Sequence, residues 1–120
     1  MELVVEHTKE YKEDIRQVTV EERKVIDTRI SAMAGSLLNG KTAFFDQASK
    51  PYIFKLKYGA ESSLYVLRLG NNQRAIASID EDPLFDKINL TLYRLVDRDK
   101  ADEVYKEVGT GIYNSENLME

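Results

Sequence analysis

The sequence predicts a small α+β domain in which helices pack on one face of a mostly antiparallel sheet. A short strand at residues 3–7 runs directly into two helical segments, and several alternating segments follow before one last helix. This order, β-α-α-β-β-β(-β)-α, fits a single domain spanning residues 1–120. Helices on one face leave the other face of the sheet available for a ligand, so we expect the functional site there.

Local side-chain chemistry predicts the first strand and the first helix. The adjacent β-branched residues Val4 and Val5 favour a strand. The hydroxyl of Thr8 can cap a helix that begins at Lys9. Apolar residues then recur at four- and three-residue spacing, at Tyr11, Ile15 and Val18. One face of this helix is therefore predicted to be buried.

The second helix carries both a start signal and a stop signal. Thr19 and Glu22 have the Thr-x-x-Glu spacing of a capping box, which satisfies backbone N–H groups at a helix start. Asn39 and Gly40 are typical of a helix end, because glycine tolerates the left-handed conformation. The predicted buried stripe between them consists of Val25, Ile26, Ile30, Met33, Leu37 and Leu38. We expect the two helices to form an antiparallel hairpin.

Alternating side chains predict the first strand after the helices. Residues 41–51 are interpreted as a linker, with Phe44 and Phe45 as its anchors. Residues 52–58 alternate strictly and therefore predict a strand. One side of that strand would carry Tyr52, Phe54, Leu56 and Tyr58, and the other Ile53, Lys55 and Lys57.

A hairpin, a further strand and a last helix complete the predicted domain. Residues 64–69 and 74–79 are predicted strands, joined by a Gly-Asn-Asn turn that accepts positive φ. An acidic loop containing Pro83 follows, and residues 88–96 alternate as another strand. Asp97 or Asp99 is predicted to cap a helix that ends near residue 108. Residues 109–120 are expected to form a loosely docked tail, with Ile112 and Tyr113 as its docking side chains.

Composition excludes several classes of function. The chain lacks cysteine, which excludes disulfides and thiolate chemistry, and its single histidine, His7, excludes multi-histidine metal sites. We therefore expect no metal and no cofactor. No apolar run approaches the roughly 18 residues of a membrane span, and the N-terminus lacks the pattern of a signal peptide. These features predict a cytoplasmic protein without a membrane partner.

Charge is distributed unevenly along the chain. The formal net charge is −4. Residues 50–79 nevertheless hold five basic residues and one acidic residue, Glu61, whereas residues 80–86 hold four carboxylates. A basic sheet on an acidic molecule predicts local binding of an anion that the total charge conceals. The carboxylates of the acidic segment are interpreted as a solvated loop rather than a cation site.

Several short motifs together resemble the RelE/ParE toxin superfamily. The opening residues 4–15 resemble its first strand and helix, and residues 53–57, Ile-Phe-Lys-Leu-Lys, resemble its basic strand. Residues 64–79 resemble its central hairpin. Residues 102–107, Asp-Glu-Val-Tyr-Lys-Glu, resemble the last helix of its RelE branch. The resemblance spans nearly the whole chain and implies a RelE/ParE-like fold.

The resemblance implies a toxin of a toxin–antitoxin pair. Members of the RelE branch cut messenger RNA on the ribosome, without a metal, by attack of the ribose 2′-hydroxyl on the adjacent phosphate, and an antitoxin protein inhibits them. Such a reaction needs proton transfer and cations that offset the charge on phosphorus. By this resemblance Lys55 and Lys57 occupy the positions of the family's basic pair and Tyr105 that of its helical tyrosine, and with Arg74 they are the candidate catalytic residues. The candidate RNA-binding residues are Arg68, Tyr93, Arg94 and Arg98.

Other interpretations of the same residues remain open. The lysines are equally well explained as the solvated side of a strand, and the strand arginines as ordinary cross-strand partners. Tyr93 and Tyr105 fit packed core positions, and His7 fits a structural role. At the level of function, the alternatives are a ParE-like protein that binds a protein target such as DNA gyrase, and a non-toxic interaction module. A homodimer is also left open.

Overall fold

The computed structural model describes residues 1–40 and 42–113, and within them the chain forms five strands and four α-helices. The strands are β1 (Glu2–His7), β2 (Ala48–Ser49), β3 (Leu64–Arg68), β4 (Gln73–Asp82) and β5 (Lys87–Asp97). The helices are α1 (Lys9–Arg16), α2 (Val20–Leu38), α3 (Thr42–Phe45) and α4 (Arg98–Ile112), with a short 3₁₀ helix at Lys57–Gly59. The predicted mixed α+β class is confirmed. None of the described helices combines the length and the apolar character needed to cross a membrane.

One sheet contains all five strands in the order β1-β5-β4-β3-β2. The first strand pairs with β5 in parallel, and the remaining three pairs are antiparallel, so the sheet is mostly antiparallel as predicted. A parallel pair needs a crossover connection, and the helices between β1 and β2 begin that connection. The long strand β5 is therefore held on both sides, by β1 and by β4.

The predicted starts of α1 and α2 are confirmed at the level of individual hydrogen bonds, whereas Asp97 precedes α4 without the predicted side-chain capping bond. The hydroxyl of Thr8 accepts a bond from the N–H of Tyr11 at 3.1 Å and caps α1. Thr19 and Glu22 form the complete capping box of α2, with the side chain of each accepting a bond from the backbone N–H of the other. Asn39 is the C-cap residue of α2, and Gly40, the next residue, has a φ of +126°.

The larger core lies between the sheet and the first three helices. Its helical members include Tyr11 and Ile15 on α1 and Phe44 on α3. The α2 residues facing this core are Ile26, Ile30, Met33, Ala34 and Leu37. The predicted stripe is wrong at Val25 and Leu38, which are 51% and 45% exposed. Helical spacing places these two residues at the edges of the stripe rather than at its buried centre.

The helix α4 covers half of the second face of the sheet. The prediction that this face is open is therefore wrong for the covered half. Ala101, Val104 and Tyr105 pack on Leu64, Val66 and Ile76 in a separate core cluster. The sequence pattern of the last helix shows an apolar side but does not say which sheet face that side meets. Only the path of the chain after β5 decides that α4 crosses to the face opposite α1 and α2.

The predicted strand at residues 52–58 is wrong. Of the four residues predicted to share one side of this strand, Phe54 and Leu56 are buried, whereas Tyr52 and Tyr58 are exposed. Tyr58 has φ of +61° and Gly59 has φ of +70°, and this left-handed backbone cannot continue a strand. The segment is instead an irregular connection that inserts Phe54 beside α4, where its ring lies between Tyr52, Tyr105 and Tyr113.

Other boundaries move by a few residues. The predicted linker contains α3 and β2, and the first three residues of the predicted acidic loop are strand, because β4 continues to Asp82. The last helix continues beyond residue 108 to Ile112, and Gly109 within it is buried. Ile112 and Tyr113 pack on the second core as expected, and the Tyr113 hydroxyl bonds Ser62 at 2.9 Å. The predicted tail at 114–120 lies outside the described residues.

One carboxylate joins α1 to the sheet. Asp14 accepts bonds from Arg94 Nε at 2.7 Å, Arg94 Nη2 at 3.2 Å and the backbone N–H of Leu95 at 2.9 Å. The partners lie beside a register shift, where Ile76 pairs with Arg94 but Ala77 pairs with Leu92. Such a bulge disrupts the ladder locally. The Asp14 carboxylate thus stabilises the irregular part of β5.

We expect Asp14→Ala to lower the free energy of unfolding by about 2 kcal/mol, because it leaves a half-buried guanidinium without its partner. Glu13→Ala, at an exposed neighbouring position of α1, should change it by less than about 0.5 kcal/mol. Urea denaturation of both variants measures the difference. Equal stability of the two variants would show that the Asp14 contacts do not hold α1.

Two glycines of α4 provide a second test of the fold. A Cβ added at Gly109 would lie 2.1 Å from the Cζ of Phe54, whereas a Cβ at Gly111 would meet nothing within 4 Å. Gly109→Ala should therefore cost about 1–3 kcal/mol by overpacking. Gly111→Ala should stabilise the helix by about 0.5–1 kcal/mol, since alanine is the better helix former. Thermal unfolding distinguishes the two, and a Gly109→Ala variant as stable as Gly111→Ala would rule out the packing of Phe54 described above.

Candidate nucleic-acid interface

Three arginines from three different elements meet at one end of the sheet. Arg68 and Arg74 are direct partners across the β3–β4 ladder. Arg98 begins α4, and its N–H donates to the carbonyl of Asn72 in the β3–β4 turn at 2.8 Å. The fold therefore brings Arg68, Arg74 and Arg98, here called the arginine cluster, to the β3–β4 turn and the N-terminus of α4.

Backbone carbonyls hold the middle arginine in place. The Nη1 of Arg74 donates to the carbonyls of Gly70 at 2.9 Å and Gln73 at 3.0 Å. The Nε of Arg68 approaches the Gly70 carbonyl at 3.4 Å. Gly70 has φ of +135°, a conformation that only glycine adopts readily, and this turn aims its carbonyl at both side chains. The cluster is therefore positioned by the turn rather than by acidic side chains.

The charges of the cluster are poorly compensated. Within the described residues, no carboxylate forms an ion pair with Arg68 or Arg74, and the ion pair of Arg98 with Asp99 is long, at 3.9 Å. The pKa of Arg74 is lowered, mainly by burial and then by repulsion from Arg68 and Arg98. Like charges opposite each other on a sheet destabilise it. An anion bound between the three guanidinium groups would remove that repulsion.

Tyr105 is part of the core. Its side chain is fully buried, and its hydroxyl donates to the carbonyl of Leu64 at 2.8 Å. Burial raises the pKa of Tyr105 to about 12. The hydroxyl that the family resemblance assigns to catalysis is thus occupied and inaccessible to a surface ligand. The environment of Tyr105 matches the alternative interpretation, in which this tyrosine is a packed core residue.

Lys55 and Lys57 are exposed and lie on the irregular segment rather than on a strand. Phe54, next to Lys55, packs against Gly109 near the end of α4, whereas the arginine cluster lies at the start of that helix. Eleven residues of helix separate Arg98 from Gly109, or about 16 Å at 1.5 Å per residue. The anchor of the lysine segment is therefore far from the cluster along α4.

Tyr93 and Arg94 are engaged within the protein. Arg94 is bound to Asp14, and this bond is the main cause of its raised pKa. The hydroxyl of Tyr93 accepts a bond from Ser78 at 3.3 Å, and its carbonyl accepts one from Thr8 at 2.7 Å. Both side chains are half-buried. Of the eight residues assigned from the sequence, only Arg68, Arg74 and Arg98 gather at one place.

The part of the second sheet face that α4 leaves uncovered is acidic. Alternation along β1, β4 and β5 places Glu6, Asp80 and Asn89 on the side opposite the large core. Glu2 also lies on this side and pairs with Lys87 at 3.8 Å. A polyanion is repelled there, so the sheet centre is a poor site for RNA. The basic residues predicted from the sequence are found at the end of the sheet instead.

Sequence reasoning missed Arg29 of α2. A Cβ on Gly70 would lie 3.8 Å from its Nε, which places this exposed guanidinium at the same turn as the cluster. Nothing in the helical pattern of α2 distinguishes Arg29 from the other charged residues on its exposed side. Its position depends on how α2 lies over the β3–β4 turn.

Comparison with known proteins does not assign this chain to a family. Scans against protein-family models, curated proteins and solved structures find no significant match to this chain. Among the described residues, no group of three or more histidine, aspartate and glutamate side chains is arranged to hold a metal ion.

The buried tyrosines make stability depend on pH. The pKa values of Tyr11 and Tyr105 are each raised from 10.0 to about 12, chiefly by burial. As the pH rises through this window the unfolded chain loses these protons first, so the free energy of unfolding should fall. Urea denaturation at increasing alkaline pH measures the slope. Tyr105→Phe should make the slope shallower, while its lost hydrogen bond costs about 1–2 kcal/mol at neutral pH; an unchanged slope would contradict the raised pKa.

Proposed function

We propose that this protein is a toxin-like member of a toxin–antitoxin pair that binds messenger RNA at the ribosome and cleaves it by attack of the 2′-hydroxyl. The resemblance to the RelE/ParE superfamily supports the reaction, and the arginine cluster supports the substrate. The observation that carries the proposal is the convergence of Arg68, Arg74 and Arg98 at one turn, where the described residues provide a single long ion pair, between Arg98 and Asp99 at 3.9 Å.

Phosphate is the anion that this cluster suits. A guanidinium presents several donors in a planar fork that matches phosphate oxygens. The cluster also includes the first residue of α4, Arg98, and the N-terminus of a helix favours negative charge. Because its groups come from separate elements, the cluster can span neighbouring phosphates of a chain. These contacts recognise the backbone and not the base sequence.

In a cleavage reaction the arginines would act on charge and not on protons. Negative charge increases on the phosphate oxygens as the 2′-hydroxyl attacks, and fixed guanidinium groups stabilise that charge. Arginine stays protonated at neutral pH and cannot remove the proton of the hydroxyl. We therefore assign the cluster to phosphate binding and transition-state stabilisation. Lys55 and Lys57 stay candidates for proton transfer only if the bound RNA reaches the segment that carries them.

A non-catalytic binding protein is the second candidate. The buried hydroxyl of Tyr105 favours it, because the residue assigned to catalysis by resemblance has no access to a ligand. The formal net charge of −4 also favours it, since repulsion weakens general attachment to RNA. In this case the target is a protein, either an antitoxin-like partner or a gyrase-type enzyme.

Binding to single-stranded RNA tests the cluster directly. For the triple variant Arg68→Ala, Arg74→Ala and Arg98→Ala, we expect weaker binding and a salt dependence reduced by about 2 in log–log slope, or about 0.7 per phosphate contact. The charge-matched control, Lys9→Ala, Lys24→Ala and Lys106→Ala, changes exposed residues of α1, α2 and α4 and should retain the slope. Fluorescence anisotropy over a salt series measures both. An equal loss of affinity and of salt dependence in the two variants would refute the role of the arginine cluster.

Cleavage is tested separately from binding. Expression of the chain in bacteria, followed by primer extension on a reporter message, should show new ends inside translated codons. A 2′-deoxynucleotide at the cut position should abolish cleavage in a reconstituted ribosome, and a metal chelator added to the pre-assembled complex should not. RNA binding without new ends would support the non-catalytic candidate, and absence of both would reject the RNA proposal.

A further inference from the structure

A cleft between α1 and α2 is lined by a different group of cations. It lies between the end of β1, helix α1 and the first half of α2, and encloses about 320 Å³. Its lining residues, which define the Tyr11 cleft, are His7, Tyr11, Lys12, Ile15, Arg16, Arg23 and Asp27. None of these residues belongs to the arginine cluster, so the cleft does not depend on the proposed RNA site.

The Tyr11 hydroxyl is buried in this cleft without a partner. The side chain is 2% exposed, and in the described part of the chain its hydroxyl is the buried side-chain oxygen that makes no hydrogen bond. An unsatisfied buried polar group is costly, and native structures seldom keep one without a reason. Burial raises the pKa of Tyr11 to about 12, so the group stays protonated and can donate. It requires an acceptor that the protein does not supply.

The side chains that line the cleft carry a net positive charge, which favours an anion. Lys12, Arg16 and Arg23 supply three positive charges at the cleft, against the single carboxylate of Asp27. The Arg23–Asp27 pair is long, at 3.9 Å, and its side chains are 56% and 62% exposed. An exposed pair of this kind contributes little to stability and separates easily. After burial, Asp27 raises the pKa of Tyr11, Arg23 lowers it and Asp14 raises it, in falling order of effect, which places all three side chains near the hydroxyl.

We propose that the Tyr11 cleft binds a small molecule that carries a phosphate group, with the Tyr11 hydroxyl donating to a phosphate oxygen and Arg16 and Arg23 neutralising its charge. Arg23 exchanges Asp27 for the ligand and opens the way to the hydroxyl. Phosphate combines about two negative charges with several strong acceptors, which matches one donor and two guanidinium groups. The volume leaves room for a small organic group beside Ile15 and the ring of His7.

The single histidine of the chain reports on the cleft. Because His7 lines it and the sequence has no other histidine, one imidazole signal in a proton NMR spectrum monitors occupancy. We expect inorganic phosphate to shift this signal saturably at constant pH and ionic strength, whereas chloride does not. A phosphate monoester such as glycerol 3-phosphate should bind more tightly than inorganic phosphate if an organic group is recognised, and equally if the free ion is the ligand.

Substitutions locate the binding. Tyr11→Phe removes only the hydroxyl and should weaken phosphate binding by about tenfold to a hundredfold, while the melting temperature without phosphate stays equal or rises. Arg23→Ala should weaken binding similarly, and Lys24→Ala, exposed next to it but outside the cleft, should not. Arg68→Ala should leave the His7 response intact.

Three results would overturn the proposal. The first is a His7 signal that does not respond to millimolar phosphate. The second is full binding by Tyr11→Phe, which would show that the hydroxyl makes no contact with the ligand. The third is loss of the response in Arg68→Ala with retention in Arg23→Ala, which would place the phosphate at the arginine cluster.

Discussion

The carboxylate of Asp14 connects the first helix to the strand on which the whole sheet depends. Three donors from Arg94 and Leu95 bind it within 3.2 Å, beside the bulge of β5. That strand pairs with β1 on one side and β4 on the other, so its position sets the register of both. A charge-assisted contact of this kind fixes geometry more strongly than apolar packing, because its donors and acceptors have preferred directions.

One face of the sheet is covered and the other is half covered, so the proposed binding regions lie away from the sheet centre. Helices α1 to α3 cover one face, while α4 and the ring of Phe54 cover half of the other. Gly109 allows the close approach of Phe54 to α4, since any side chain there would occupy the space of the ring. The uncovered half of the second face is acidic, which leaves the β3–β4 turn as the basic region of the sheet.

The tertiary structure separates charges that the chain mixes. Acidic residues gather at the uncovered sheet face, whereas arginines gather at the β3–β4 turn and a second basic group lines the Tyr11 cleft. The net charge of −4 describes none of these regions. Local potential governs the binding of anions over distances of about 10 Å at moderate salt, because charges further apart are screened. Two separate phosphate-binding regions are therefore compatible with an acidic protein.

The sequence by itself determined the features that depend on neighbouring residues. The caps at Thr8 and Thr19, the helix end at Asn39 and the alternating strands β3 to β5 each arise from contacts within a few residues of the chain. The alternating pattern predicted a strand at residues 52–58 wrongly. A loop that buries Phe54 and Leu56, two residues apart, has the same sequence pattern as a strand. Two buried anchors do not require a ladder partner, so the pattern alone does not distinguish the two cases.

Only the tertiary structure decided which charged residues act together. Arg68, Arg74 and Arg98 were all candidates from the sequence, but so were five other residues that the fold places elsewhere or buries. Their convergence depends on the β3–β4 register and on α4 starting at the same turn. The Tyr11 cleft had no sequence signal, because Tyr11 fits a core position by helical spacing and its missing partner is visible only after packing. Contacts between residues distant in the chain depend on the path of the backbone, and a local sequence pattern does not determine that path.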